Sequence, residues 1–230
     1  MSEFTQWLNQ LQLDSLVEMV IVVLASLLCI TVHETCHGLA AYWMGDDTAK
    51  RMGRLSLNPL RHVDPMGLVM MALVRFGWAK AVPVDMHKFR RPKMGMAITA
   101  LAGPLSNVLL MALAIIGEAF AFLGYYRSDS TFWYYVLLFL EYVAVLSAGL
   151  AVFNLFPIPP LDGSKVLFAL LPDGAYEKLM RYERYGMILL ALVLILGLLD
   201  VPLNFLRSGL LDGTYALVTP LFTFLQTRFL

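Results

Sequence analysis

The chain has 230 residues, of which 59% are hydrophobic and 15% charged, and its formal net charge is zero. Soluble domains carry about a quarter charged residues, so this composition, with a mean hydropathy of +0.70, indicates an integral membrane protein. Neutrality gives no argument for nucleic acid as a partner, and the apolar segments leave little room for a folded soluble domain. One membrane-embedded domain over residues 1–230 is expected, with a core at about 16–171 and C-terminal helices at about 185–230.

The opening stretch, MSEFTQWLNQLQLDSLVEM, lacks the cationic start and small-residue cleavage site of a signal peptide. Phe4, Trp7, Leu8 and Leu11 recur at helical spacing, which predicts a short interfacial helix. The first span runs from about Leu16 to Met44 and contains Cys29 and Cys36. Both cysteines read as small buried apolar residues. Between this span and the next, GRLSLNP alternates and WAKAVPVD is rich in β-formers, each bounded by Gly or Pro. MGLVMMALVRFG, which separates them, is apolar but too short to cross a bilayer. A small β-strand and re-entrant insertion is predicted there, together with a wet cavity, because non-helical backbone at that depth needs protein or water around it.

The second span runs from about Met94 to Gly124. The third starts near Phe132 and reaches NLFPIPPLDG, where prolines break the helix. The fourth covers roughly Tyr185 to Leu199. A weaker fifth, from about Gly209 to Leu230, is interrupted by Asp212 and Pro220 and has a re-entrant loop as its alternative. The expected fold class is a polytopic α-helical membrane protein of about five spans. Segment 45–96 holds Lys50, Arg51, Arg54, Arg61, Arg75, Lys80, Lys88, Arg90, Arg91 and Lys93, more than half of the 17 cationic residues. By the excess of cations in cytoplasmic loops, segments 45–96 and 162–185 face the cytoplasm. Loop 125–131 and the N-terminus then lie outside. The lipid bilayer, in a prokaryotic cytoplasmic membrane, is the expected surrounding.

Ionisable groups inside a span are costly and carry a functional expectation. His33, Glu34 and His37, in ITVHETCHGLAAYW, form H-E-x-x-H. On a helix the two histidines lie one turn apart on one face and can reach one metal ion, for which zinc is well suited. Glu34 sits beside that face, placed to take a proton from a zinc-bound water. A hydrolytic zinc site wants a third protein ligand and one open position. Asp162, just past the helix break, is the leading candidate; the alternative is that it caps a helix beginning near Gly163. His62, His87 and Cys29 are weaker candidates. His33 is about eleven residues from the cytoplasmic end of its span, or ~16 Å, so the site is submerged but reachable from the cytoplasm.

HETCH at 33–37, AGPLSN at 102–107 and NLFPIPPLDG at 154–163 resemble, in this order, the site-2 protease family of intramembrane zinc metalloproteases. MGRLSLNPLRHVDPMG and FGWAKAVPV resemble its short bacterial and archaeal members, and the similarity covers most of residues 30–170. The resemblance implies one Zn²⁺ per chain held by His33, His37 and Asp162, Glu34 as general base, and a catalytic core of three helices. It implies regulated intramembrane proteolysis, with a single-span membrane protein or a membrane peptide as substrate. Asn107 and Asn154 match family asparagines near the active site. An amide there could bind substrate or the developing oxyanion, or serve only helix–helix hydrogen bonding. The chain departs from many members in having no room for a PDZ or CBS domain, and Ala81 stands where proline is usual. The short strands would offer an edge to an extended substrate. The rival functions are a metal transporter and an inactive scaffold built on the same His and Asp cluster.

Overall fold

The computed structural model describes residues 13–64, 66–67, 80–128, 130–182 and 185–229. Its helices are α1 (Leu13–Met44), α2 (Thr48–Arg51), α3 (Pro92–Ser128) and α4 (Thr131–Leu155), followed by α5 (Asp162–Ala169), α6 (Asp173–Tyr182), α7 (Gly186–Ile195) and α8 (Asp200–Phe229). Residues Leu16–Met44, Pro92–Ser128 and Thr131–Leu155 are long and apolar enough to cross a membrane. These match the first three predicted spans. The remaining two correspond to α7 and α8, which bend by 88° and make at most one broken span. The count is therefore three or four among the described residues, rather than five. Asp212 and Pro220 do not interrupt the last helix, since α8 runs through both.

α1, α3 and α4 pack on one another, and α8 lies against α3 and α4. Ala25, Cys29, Ala114, Ala144 and Ala148 are buried where they meet. Without a hydrophobic force between helices in lipid, small residues that let backbones approach give the packing its strength. The outward faces are apolar instead: Val20, Leu24 and Leu28 on α1, and Leu105, Leu109 and Leu113 on α3, are exposed at helical spacing. A bundle with small residues inside and large apolar ones outside is arranged for lipid rather than water. The Tyr215 hydroxyl of α8 donates to Glu118 Oε2 of α3 at 2.9 Å, which satisfies one polar oxygen in this interior.

Among the described residues the predicted strands do not form: GRLSLNP and residues 80–85 carry none, Val63 makes only an isolated bridge, and the start of WAKAVPVD lies outside the described residues. Asn58 accepts from Leu60 N–H and starts a 3₁₀ turn at Pro59–Arg61. The Arg54 guanidinium takes the carbonyls of Arg61, Lys80 and Ala81, acceptors that a ladder would use. Lys80 N–H to His62 O, at 2.9 Å, is a remaining backbone link between the two stretches. Most of the predicted re-entrant stretch at 66–77, and the predicted interfacial helix near the N-terminus, lie outside the described residues.

α1 closes with a Schellman motif. Gly45, at φ 112°, donates to Tyr42 O, and Asp46 N–H donates to Ala41 O, the 5→2 and 6→1 pair in which glycine is favoured. Asp46 is fully buried immediately afterwards. Its Oδ2 accepts from Asp85 N–H at 2.6 Å, and its Oδ1 from Thr48 N–H at 2.9 Å. This carboxylate anchors the backbone that returns from the insertion toward α3. Burial works against its charge, but the Thr48 hydroxyl, the Asp85 and Thr48 N–H groups and Lys88 outweigh it and hold the carboxyl below the ordinary carboxylate range. A depressed folded pKa gives stability that is complete above the unfolded value and is lost as pH falls through the folded one. Asp46→Ala should therefore cost ~1–3 kcal/mol at neutral pH. Melting curves in detergent should show the gap from wild type narrowing below pH ~4; a gap independent of pH would show that the carboxylate charge is not the anchor.

Candidate metal centre

His33 and His37 sit on one face of α1, four residues apart, at 6% and 8% exposure. Asp162 enters from the first turn of α5, also 8% exposed. The sequence left open whether Asp162 caps this helix. It is instead the first helical residue, and Leu161 occupies the cap without a side-chain bond, so the carboxylate is free for the histidines. His33 Nε2 and His37 Nε2 each lie 3.2 Å from Asp162 Oδ2, and 2.9 Å from each other. These three residues could hold a metal ion. The triangle is on the scale set by zinc–ligand bonds of ~2.0–2.2 Å.

The hydrogen bonds behind the triangle decide what its corners are. His37 Nδ1 is 2.7 Å from the Thr99 carbonyl, an acceptor, so Nδ1 carries the proton and Nε2 presents a lone pair. His33 Nδ1 is 3.3 Å from Asn107 Nδ2, while Asn107 Oδ1 is buried with no partner. An amide turned end for end lets Oδ1 accept from His33 Nδ1–H and puts Nδ2 in the position without a partner. His33 Nε2 is then also a lone pair. Two imidazole nitrogens and a carboxylate oxygen, all acceptors, converge within about 3 Å in a buried place. A cation among them removes their repulsion, and outer hydrogen bonds of this kind normally orient metal-binding histidines. The orphaned Asn107 oxygen and the donor set both fit zinc.

Glu34 is adjacent but turned aside. Its Oε2 accepts from Val82 N–H at 2.8 Å, so the edge expected to receive substrate at this position is already occupied. Asn107 is fully buried against His33. Asn154 is not brought to the triangle by any hydrogen bond; its Nδ2 donates to Leu150 O within its own helix at 3.0 Å. Cys29, one turn before His33, turns away to Ser147 Oγ at 3.2 Å. His62 is buried against Ser56 O and Thr35, and His87 is exposed.

Some groups at the site are not announced by the motif. Thr99 and Gly103 lie at four-residue spacing before the expected Asn107 and share its face of α3, the spacing that could have revealed these two. Thr99 supplies a carbonyl, Asn107 an amide, and Gly103 supplies space. A Cβ on Gly103 would lie against His37 Nε2, 2.5 Å from His37 Cε1 and 2.6 Å from His33 Cε1. The imidazoles occupy the volume that a methyl group would need. Gly103→Ala should push the rings apart and lower bound zinc well below that of wild type, measured by metal analysis after gentle purification. Zinc retained at the wild-type level would show that the rings can move aside.

Comparison with known proteins agrees with this chemistry. Residues 122–198, which include Asn154 and Asp162, match the profile of peptidase family M50. The chain is 34% identical to "Putative zinc metalloprotease YwhC" of Bacillus subtilis, over 86% of this chain and 93% of that protein. It is 31% identical to "Putative zinc metalloprotease Rip2" of Mycolicibacterium smegmatis, over 76% and 67% of the two chains. Against the protein of the same name from Mycobacterium tuberculosis it is 29% identical, over 77% and 67%. No solved structure matches the chain. With a zinc-compatible donor set in an apolar bundle and similarity along most of its length, this chain belongs to peptidase family M50, the site-2 proteases, and is a zinc metallopeptidase.

Proposed function

We propose that this protein hydrolyses peptide bonds within or near membrane-spanning segments, with His33, His37 and Asp162 as zinc ligands and Glu34 as general base. The observation that carries the reading is the converging Nε2, Nε2 and Oδ2 set among helices long enough to cross a bilayer. Buried ionisable groups there are too costly to persist without a partner or a task. Bound zinc supplies Lewis acidity and lowers the pKa of its water to about 7.

The protein's own groups do the rest. Thr99 and Asn107 fix the imidazoles. Glu34 takes a proton from the attacking water and returns it to the leaving amine, so that water is consumed and the amide C–N bond breaks. Asn107 is fully buried and committed to His33; the half-buried Asn154, whose Nδ2 keeps a second N–H besides the one given to Leu150 O, is the amide for substrate or oxyanion. The cationic residues of 45–96 set the site toward the cytoplasm, the side from which water enters. A substrate helix must unwind to expose its scissile carbonyl, so single-span proteins and membrane peptides are the fitting substrate class.

Metal analysis tests the ligand set, and cleavage tests the base. Wild type and Glu34→Gln should each hold about one zinc per chain, whereas His37→Ala and Asp162→Ala should hold markedly less. Reconstituted with a panel of single-span membrane segments, Glu34→Gln should cleave at least ~10²-fold more slowly than wild type. A zinc-loaded Glu34→Gln protein that cleaves at the wild-type rate would remove Glu34 from the mechanism.

A further inference from the structure

We infer that Arg54 is a positioning residue for Glu34, acting through the backbone of residues 80–82. The inference rests on Glu34 being the base proposed above. Arg54 is only 8% exposed, and no carboxylate pairs with it among the described residues. Its guanidinium donates instead to three backbone carbonyls: Arg61, Lys80 and, at 3.2 Å, Ala81. A cation buried without a counter-charge is expensive, so its retention here calls for a function. It gathers two stretches of chain well separated in sequence, and the second leads directly into Val82, whose N–H meets Glu34 Oε2 at 2.8 Å.

The turn that carries Arg54 is itself docked on the same stretch of α1. Thr35, next to Glu34, donates its hydroxyl to Ser56 O at 3.0 Å. His62 Nε2 reaches that same oxygen at 2.7 Å. One turn after Glu34, Gly38 lets Leu55 and Val82 approach: a Cβ there would be 2.8 Å from Leu55 Cδ2 and 3.2 Å from Val82 Cγ1. Arg54 thus closes a circuit from α1 through residues 54–62 and 80–82 back to the Glu34 carboxylate. With Oε2 held by a fixed N–H, the Glu34 side chain keeps one rotamer and Oε1 is left for the proton. A base displaced by 1 Å can lose about 10²-fold in rate. Lysine cannot substitute, because its point charge lacks the planar fork of donors that spans three carbonyls.

The test uses the full chain in liposomes, with Arg54→Gln, Arg54→Lys and Val82→Pro. The last removes the N–H and leaves Arg54 in place. Three quantities are measured: zinc per chain, amide exchange over residues 80–88, and kcat and KM on a membrane segment that wild type cleaves. Both Arg54 variants should keep wild-type zinc, exchange residues 80–82 at least tenfold faster, and lose tenfold or more in kcat with KM little changed. Val82→Pro should show the same kcat loss with zinc retained. Unchanged exchange in Arg54→Gln, unchanged kcat in Val82→Pro, or zinc lost in step with turnover would each overturn the inference. Zinc-loaded Glu34→Gln that cleaves the same segment at the wild-type rate would overturn the base itself, while exchange would still report separately on the Arg54 tie.

Discussion

Three acceptor atoms held together in an apolar interior repel one another, and the architecture around the site follows from the need to keep them there. α1 supplies two of them because one helical turn separates His33 from His37. The third must come from elsewhere, and the break after α4 is what brings it. The chain leaves the helix at Leu155, passes Pro157, Pro159 and Pro160, and re-enters a helix at Asp162. α3 completes the arrangement from behind with a carbonyl, a gap and an amide at four-residue spacing. Remove any of these and the imidazoles lose either their tautomer or their room.

The apolar core of the bundle begins one turn away, at Cys29. Ala114, Ala144 and Ala148 pack around Cys29 and Met111 with almost no exposure. Close helix packing excludes solvent and keeps the effective dielectric low, so the hydrogen bonds that Thr99 O and Glu34 accept are worth more than they would be in water. Beyond the site, Glu118 Oε2 is paired with Tyr215 across helices, while Glu118 Oε1 and Thr31 Oγ1 are buried without a hydrogen-bond partner. The Tyr215 hydroxyl fastens α8 to the core through one oxygen of that carboxyl.

Much of the site was legible in the sequence, because its signals are local. H-E-x-x-H on an apolar run needs only helical periodicity to be understood, and His33 and His37 are where that periodicity puts them. The three long spans follow from length and hydropathy alone. Asp162 was ambiguous, since an aspartate before a helix is also a good cap; only the position of Leu161 resolves it. The insertion was misread because alternation in GRLSLNP and WAKAVPVD reports side-chain faces and not hydrogen-bond partners. A side chain, Arg54, took the carbonyls that strands would have shared, and no pattern in sequence foretells that competition. The C-terminal region was misread for a related reason. Residues 186–229 carry enough apolar length for two crossings, but α7 ends in a Schellman motif at Gly197 (φ 64°), where Gly197 N–H meets Leu194 O and Leu198 N–H meets Val193 O, and the chain bends by 88° into α8. Hydropathy alone passes over that glycine stop.

The distance along the chain between the proposed ligands has a further consequence. His33 and Asp162 are 129 residues apart, with α3 and α4 between them. An ion shared by the two ends works as a reversible cross-link that closes this loop. In chain-entropy terms, a link of that span removes up to ~5 kcal/mol of freedom from the unfolded chain, and less where the bilayer already confines the helices. Metal affinity and fold integrity are then one quantity seen from two sides. A cell that limits its zinc would withdraw the catalyst and loosen the helix assembly in the same act, which makes the protein's lifetime, as well as its chemistry, answer to metal supply.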